Sequence, residues 1–149
     1  MATETERKFL VKGDFRHLAV KEINIIQAYL ILDSGKTIRI RIADEQAYLT
    51  IKTRPPKNTI TRNEWEFPIP LKDAEEMMKI CIPGRIFKTR YIIPSGKHKI
   101  EVDVFHGKNE GLVIAEIELA SDNEEYSKPS WLGEEVTGQP QYYNANLIK

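Results

Sequence analysis

The chain has 149 residues, enough for one domain with a sizeable core, and its 22 Lys plus Arg balance its 22 Asp plus Glu. A formal net charge of zero argues against a general nucleic-acid or membrane binder, because both classes usually carry a basic excess. The sequence is charged from Glu4 onward, without an apolar signal segment, and no stretch approaches membrane-spanning length. With Cys81 as its single cysteine, the sequence predicts a cytoplasmic protein without an intramolecular disulfide.

Short alternating runs of apolar and polar residues, separated by turn signals, predict about eight β-strands. In chain order the strands cover residues 3–11, 22–32, 36–43, 46–53, 60–69, 85–93, 97–105 and 112–120. A helix is predicted over Leu71–Ile82, because Pro83 and Gly84 follow it. Shorter helices are predicted near Phe15–Leu18, near Glu124–Tyr126 and at the carboxyl terminus. The expected fold class is therefore mainly β (α+β), with antiparallel strands and a few peripheral helices.

Charged residues two positions apart share one sign in six of the predicted strands. The pairs are Glu4/Glu6, Arg39/Arg41, Glu64/Glu66, Lys88/Arg90, Glu101/Asp103 and Glu116/Glu118. Residues i and i+2 of a strand point to one face, so each pair places two like charges side by side. Two carboxylates about 5 Å apart repel by about 1 kcal/mol in water and by about 3 kcal/mol at an effective dielectric constant of 20. Metal ions together with a polyanion would offset that repulsion.

Each predicted strand has an apolar and a charged face, as in residues 98–105, where Ile100 and Val102 alternate with Glu101 and Asp103. One interpretation is an open sheet with a solvated charged face. The other is a closed barrel whose charges line a tunnel, with its apolar face covered by helices, loops and a second subunit. One short helix is too little cover for eight strands, but spacing alone leaves both interpretations open.

The order of the charged pairs resembles the CYTH superfamily, also called the triphosphate tunnel metalloenzymes. Glu4-Thr5-Glu6-Arg7-Lys8 is similar to the Glu-x-Glu-x-Lys motif with which members of that family begin. The similarity continues through Arg39-x-Arg41, Lys52, Glu64-x-Glu66, Lys88-x-Arg90, Glu101-x-Asp103 and Glu116-x-Glu118. It covers residues 4–119. The resemblance implies a single domain over residues 1–149, built as a closed eight-stranded antiparallel β-barrel that forms a charged tunnel.

The resemblance also implies an activity, which is metal-dependent hydrolysis of a triphosphate with Mg²⁺ or Mn²⁺ as cofactor. A short chain without an evident segment for binding a base favours inorganic tripolyphosphate, cleaved to pyrophosphate and phosphate. The implied metal ligands are Glu4, Glu6, Glu116 and Glu118, with Asp103 as a further ligand. The implied phosphate-binding residues are Arg39, Arg41, Lys52, Lys88 and Arg90. Catalytic roles are implied for Lys8 and for Tyr29, which resembles a tyrosine of short bacterial tripolyphosphatases.

Several alternatives stay open at this point. The same scaffold suits a thiamine triphosphatase, a nucleoside triphosphatase, a class IV adenylate cyclase or a non-catalytic polyphosphate-binding module. The expected partner is a small triphosphate, with neither nucleic acid nor membrane involved, and a homodimer is predicted from the apolar outer faces of the strands. Five charged residues are assigned either to the tunnel or to structural ion pairs and the surface: Arg54, Arg62, Glu64, Glu66 and Glu101.

Overall fold

Alternation of apolar and charged residues produces strands along most of the chain, as a computed structural model of residues 2–148 describes it. Within that range the nine strands are β1 (Thr3–Val11), β2 (Lys21–Leu32), β3 (Lys36–Ala43), β4 (Gln46–Thr53), β5 (Thr61–Ile69), β6 (Ile86–Ser95), β7 (His98–Phe105), β8 (Val113–Glu118) and β9 (Leu132–Glu135). One α-helix, α1 (Leu71–Met78), separates β5 from β6 in this part of the chain. Short 3₁₀ turns occur at Arg16–Leu18, Gly107–Asn109, Pro140–Tyr142 and Asn144–Asn146.

The strands form one antiparallel sheet in the order β5-β4-β3-β2-β6-β7-β8-β1-β9, and β5 also pairs with β1. That pairing joins Thr3–Thr5 to Thr61–Asn63 and closes β1 to β8 into a barrel. β9 lies against the second half of β1, where Val11 pairs with Leu132. The predicted closed eight-stranded antiparallel barrel is therefore confirmed.

The charged face of the sheet points into the barrel. Lys88 and Asp103, on the adjacent strands β6 and β7, have side chains that are 0% and 2% exposed and form an ion pair. A solvated outer face would leave both side chains in water, so the open-sheet interpretation is wrong. The wall alternates as predicted, because Ile100 and Val102 flank this charged row on the outer side and are fully buried there.

Two peripheral segments cover part of the apolar outer face. Residues 119–136 bring Trp131 and Leu132 against Phe9 and Ile117 of the barrel wall. On the other side, Ala74 and Met78 of α1 pack on Ile40 and Ala47 of β3 and β4. Between Ala2 and Ile148 no helix is long and apolar enough to cross a membrane.

The carboxyl-terminal segment, residues 137–148, closes one end of the barrel. Ile148 packs there against Tyr29, Ile86, Phe105 and Ile114. Asn109 Nδ2 donates a hydrogen bond to the carbonyl of Leu147 at 2.9 Å, and Lys108 Nζ donates to the carbonyl of Ile148. The segment is therefore anchored both by apolar packing and by hydrogen bonds to the β7–β8 connection.

Three details of the secondary structure differ from the sequence-based expectation. α1 ends at Met78 rather than at Ile82, because the Ile82 N–H donates to the carbonyl of Tyr29 in β2 instead of continuing the helix. The helix expected near Glu124–Tyr126 is wrong, since these residues are irregular and follow a turn in which Glu124 accepts a hydrogen bond from the Ala120 N–H. β9 was not predicted because four residues that include a glycine are too short to display alternation.

Candidate functional site

Asp103 is the centre of a buried ionic cluster on β6 and β7. Arg90 donates to its two carboxylate oxygens at 2.8 and 2.9 Å, and Lys88 Nζ lies 2.7 Å from Oδ2. Burial alone would raise the pKa of Asp103, but Arg90 and Lys88 hold it well below its usual range. Burial lowers the pKa of Lys88 to about 7 in spite of Asp103 beside it. Both oxygens of Asp103 are thus engaged by cations.

Two arginines of β3 face the interior, and in the described part of the chain only Arg39 forms an ion pair, a long one with Glu66. Arg41 donates from Nε and Nη2 to the neutral amide oxygen of Gln27, at 3.0 and 2.9 Å. Burial and the nearby Arg39 lower the pKa of Arg41 to about 9. Arg39 donates to Thr50 at 3.2 Å and lies 3.7 Å from Glu66, while its buried Nε lacks an acceptor. This part of the lumen has donors in excess, so it suits an anion.

Carboxylates of β1 and β8 crowd together on the facing wall. In the register of the two strands Glu6 lies opposite Glu118, and Lys8 lies opposite Glu116. Burial, Glu116 and Glu4 raise the pKa of Glu6 well above its usual range. Although burial opposes it, Lys8 keeps the pKa of Glu116 well below its usual range. Without a cation, Glu6 and Glu116 therefore repel each other.

This donor set fits a hard divalent cation that keeps water and substrate oxygens among its ligands. Mg²⁺ is typically bound by one or two carboxylates together with phosphate oxygens and water. Glu6 and Glu116 supply such a pair, and a cation bound there would offset their mutual repulsion. Within residues 2–148 no three His, Cys, Asp or Glu side chains converge as a preformed cage. Glu118, at the exposed end of β8, has its pKa raised by burial and by Glu4.

A second ionic row crosses the seam between β1, β4 and β5. Lys52 Nζ lies 2.9 Å from Glu4 and 3.4 Å from Glu64, and Arg62 Nη2 lies 3.3 Å from Glu4. Burial opposes it, but Lys52 and Arg62 hold the pKa of Glu4 well below its usual range. Burial and a hydrogen bond with Glu4 raise the pKa of Glu64 to about 7. Arg62 therefore belongs to the lumen, whereas Arg54 is exposed beyond the end of β4.

Lys8 and Tyr29 both lie at the closed end of the lumen. Lys8 Nζ is 3.7 Å from Glu116 and 3.4 Å from the carbonyl oxygen of Tyr142, and it lies 5.6 Å from the centre of the Tyr143 ring. Burial opposes it, but Glu116 and Glu6 raise the pKa of Lys8. Tyr29 is 4% exposed and pairs across the sheet with Arg39. The structure places the two predicted catalytic residues in one region; their catalytic roles stay a prediction.

The site is also lined by three polar residues that the charge pairs in the sequence did not indicate. Gln27 and Thr50 are neutral, but they lie two positions from Tyr29 and Lys52, so alternation along each strand could have identified them. Asn144 accepts hydrogen bonds from Lys88 and Gln27, at 2.9 and 3.1 Å. It belongs to a 3₁₀ turn near the carboxyl terminus, where no periodic pattern indicates which side chain points inward.

The family resemblance implies a barrel whose interior has separate groups of acidic and basic residues, as observed. A comparison with family models tests whether the chain belongs to that family. The family model for the CYTH domain matches residues 2–149. The chain belongs to the CYTH family. This CYTH chain is 42% identical to an inorganic triphosphatase of Acetivibrio thermocellus over 150 aligned positions, which cover 100% of this chain and 95% of the relative.

Two further CYTH relatives agree in length and in fold. An inorganic triphosphatase of Nitrosomonas europaea is 31% identical, with 97% of this chain and 96% of the relative covered. A crystal structure of an inorganic triphosphatase superposes with a TM-score of 0.65 at 29% identity, covering 99% of this chain and 95% of the other. The match therefore extends over the whole barrel and its carboxyl-terminal segment rather than over one motif.

Proposed function

We propose that this CYTH protein is a divalent-metal-dependent triphosphatase that hydrolyses inorganic tripolyphosphate to pyrophosphate and phosphate. One observation carries the proposal: inside one closed lumen, guanidinium groups with unmet capacity for an anion face a crowded pair of carboxylates. Arg41 donates to a neutral amide, and Arg39 has a buried Nε without an acceptor among the described residues and a 3.7 Å contact with the half-exposed Glu66, while Glu6 and Glu116 repel each other. A polyanion with a divalent cation satisfies both sets at once. The names of the two curated relatives support the same substrate.

In the proposal the basic residues bind and orient the phosphate chain. Guanidinium groups suit this role because their planar donors match pairs of phosphate oxygens. The buried Nε of Arg39 is a donor without an acceptor among the described residues, and Arg41 would exchange its neutral acceptor for a phosphate. The proposed phosphate-binding set is Arg39, Arg41, Lys52, Lys88 and Arg90.

Glu4, Glu6, Glu116 and Glu118 are the proposed metal ligands, and Asp103 is the further ligand that the resemblance implies. Mg²⁺ or Mn²⁺ is the proposed cation. Bound there, it would neutralise phosphate charge and lower the pKa of a water molecule. Of these residues, Glu6 and Glu116 fit best, because Asp103 and Glu4 already have close cationic partners.

Hydrolysis needs water to add to the terminal phosphorus while the bond from that phosphorus to the bridging oxygen breaks. Pyrophosphate leaves with the electron pair of that bond, and the added water loses a proton to form phosphate. The Lys8 ammonium is proposed to neutralise the negative charge on the leaving oxygen, and the Tyr29 hydroxyl is proposed to orient Lys8. Phosphoryl transfer depends mainly on such positioning and neutralisation. The low exposure of Lys8 and Tyr29 would strengthen both effects, because few water molecules compete there.

The decisive experiment measures phosphate release from tripolyphosphate, ATP and thiamine triphosphate, each with Mg²⁺ and with Mn²⁺. The proposal expects the highest kcat/KM for tripolyphosphate and no turnover when a chelator removes the metal. A higher value for ATP or thiamine triphosphate would reassign the substrate, and cyclic AMP among the products would indicate a cyclase. Tight binding of tripolyphosphate without turnover of any triphosphate would indicate a non-catalytic binding module and overturn the proposal.

The variant Glu6→Gln separates metal binding from folding. Because Glu6 is repelled by Glu116 and Glu4, a neutral amide relieves repulsion in the metal-free protein. The expected result is an unchanged or higher Tm together with loss of metal-dependent turnover. Glu22→Gln, on the exposed side of β2, is the matched control and should change neither property. Normal turnover of Glu6→Gln would remove Glu6 from the ligand set.

We also propose a homodimer, formed through an apolar strip on the outside of β2 to β5. In the sheet register Ile31, Ile38, Ile51 and Trp65 lie side by side across four strands, and Phe67 lies beside them. Trp65 and Phe67 are 38% and 52% exposed. A two-fold axis would place this strip against the same strip of a second copy. Sedimentation of Trp65→Lys should yield monomers, with Ile80→Lys as the control; unchanged mass would contradict the dimer.

Three other sequence-based expectations stay predictions. They are the single domain over residues 1–149, the absence of nucleic-acid and membrane partners, and a cytoplasmic location. Cell fractionation tests the location, and nucleic-acid and vesicle binding assays test the partners.

A further inference from the structure

A single oxygen atom of the carboxyl-terminal segment accepts hydrogen bonds from a basic side chain and from a neutral amide of the lumen. Asn144 Oδ1 accepts from Lys88 Nζ at 2.9 Å and from Gln27 Nε2 at 3.1 Å. Lys88 lies on β6 and Gln27 lies on β2, so the two donors come from different strands of the barrel wall. Asn144 therefore joins side chains of two adjacent strands that are far apart in the sequence.

Gln27 carries this contact onward to Arg41. Its side chain is fully buried, and with Nε2 directed at Asn144 its Oε1 must point the other way, where it accepts from Arg41 Nε and Nη2. If the Gln27 amide were reversed, its NH₂ group would face the Arg41 guanidinium, and neither donor would have an acceptor. The Asn144 oxygen thus fixes the orientation of Gln27, and Gln27 fixes the orientation of Arg41.

The position of Asn144 is itself fixed by contacts of the residues that precede and follow it in the chain. Behind it, Ile148 is buried among Tyr29 and Phe105, and Leu147 accepts a hydrogen bond from Asn109. The neighbouring Tyr142 contributes its carbonyl oxygen to Lys8. The segment is therefore a defined part of the lumen and presents Asn144 at a fixed place.

We propose that Asn144 is a positioning residue for triphosphate binding, orienting Lys88 directly and Arg41 through Gln27. The inference rests on the proposed function, because it assigns Asn144 to the phosphate-binding half of the same site. In this proposal Asn144 contacts Lys88 and Gln27 and does not touch the reacting atoms. Its loss should therefore weaken binding more than it slows the chemical step.

The first test compares Asn144→Ala with the matched control Asn146→Ala. Asn146 lies in the same 3₁₀ turn, is exposed and donates to the carbonyl of Pro140, away from the lumen. Loss of a hydrogen bond to a charged group is expected to raise the KM for tripolyphosphate about tenfold, with a smaller change in kcat. The control should leave both constants unchanged. Equal KM values for the two variants would overturn the inference.

A double-mutant cycle tests the path through Gln27. If Asn144 acts on Arg41 through Gln27, then Asn144→Ala should raise KM by a smaller factor in a Gln27→Ala background than in the wild-type chain. The same factor in both backgrounds would overturn the path. If Asn144→Ala has a much lower Tm than Asn146→Ala, Gln27→Leu replaces it, because Gln27→Leu leaves the anchors of the segment in place. An unchanged KM for Gln27→Leu would overturn the inference too.

Calorimetric titration with tripolyphosphate in the absence of metal separates this inference from the proposed function. Turnover by the wild-type protein tests the function, whereas the metal-free Kd tests the orientation of the two cations. About tenfold weaker binding by Asn144→Ala than by Asn146→Ala supports the role of Asn144, even if no turnover is found. Equal Kd values overturn that role, even if turnover is normal.

Discussion

The ammonium nitrogen of Lys88 lies 2.7 Å from Oδ2 of Asp103, and both side chains are almost completely shielded from solvent. Arg90 donates hydrogen bonds to both oxygens of the same carboxylate. Two buried basic side chains thus share one buried carboxylate. Such an arrangement makes the charge of the lumen a condition for the stability of the barrel.

Asp103→Asn should strongly destabilise the protein, because Lys88 and Arg90 would lose their common buried counter-charge. Removing one partner of a buried ion pair typically costs about 3–5 kcal/mol. Denaturant unfolding of the metal-free protein measures this loss. Glu101→Gln is the control, since Glu101 is 26% exposed and lies 3.5 Å from Arg90, and it should cost less than about 1 kcal/mol. A similar loss in both variants would contradict the assigned role of Asp103.

Tyr29→Phe should keep the fold and lower kcat. The ring packs against Ile86 and Phe105, and phenylalanine retains that packing while the hydroxyl is lost. If the hydroxyl orients Lys8 near the leaving oxygen, kcat for tripolyphosphate should fall about tenfold to a hundredfold. Tyr48→Phe removes a hydroxyl that donates to Gln46 near the surface and should retain full activity. Unaltered kcat in Tyr29→Phe would assign Tyr29 to packing alone.

Gly84→Ala should displace the carboxyl-terminal segment. A Cβ at position 84 would lie 2.3 Å from the carbonyl oxygen of Ile148, and Gly84 has a positive φ of 109°. Gly96→Ala is the matched control, because Gly96 has a φ of 59° but open space around its Cβ position. Both variants carry backbone strain of about 1–3 kcal/mol. Only Gly84→Ala should also raise the KM for tripolyphosphate, since Asn144 would move with Ile148; equal KM values would contradict this.

Glu124 should make stability depend on pH in the acid range. The Ala120 N–H, His98 and Lys97 lower its pKa to about 2 from an ordinary value of 4.5. A carboxyl whose pKa is lower in the folded state stabilises the fold above its unfolded pKa, and this contribution is lost as the pH falls towards 2. Melting curves between pH 6 and pH 2 should thus show a wild-type advantage over Glu124→Gln that disappears at the acid end. A constant difference would contradict the assignment.

The sequence predicted the strands and their charged face because both depend on local alternation, whereas the closed barrel with that face inside was implied by the family resemblance. Glu6 and Glu116 are far apart in the chain, yet each lies two positions from another carboxylate, and the strand period places both on the charged face. Asn144 could not be predicted in this way. It contacts Gln27 across 117 positions of sequence, and its orientation depends on how the terminal segment packs rather than on a repeating pattern.

Some charged residues could be placed only by the structure. Arg62 and Arg54 share the same strand parity, but β4 ends at Thr53 and β5 begins at Thr61, so Arg62 lies inside the barrel and Arg54 lies outside its end. An even or odd position in the sequence indicates which face of the sheet a side chain lies on only while the residue is part of a strand. The ends of strands depend on turns and on neighbouring strands, which alternation does not record.

The barrel is closed by a short seam in which Thr3–Thr5 pair with Thr61–Asn63, and Glu4 lies opposite Arg62 within it. Glu4 belongs to the proposed metal site as well, so in that proposal one side chain would serve both ring closure and ligand binding. By linkage, a ligand that binds only the closed ring shifts the equilibrium towards closure. The amide proton of Glu64, which is bonded to the carbonyl of Ala2, would then exchange more slowly with solvent when the site is filled. If Glu4 has both roles, ligand binding in the lumen and closure of the β1–β5 seam are coupled in a single equilibrium.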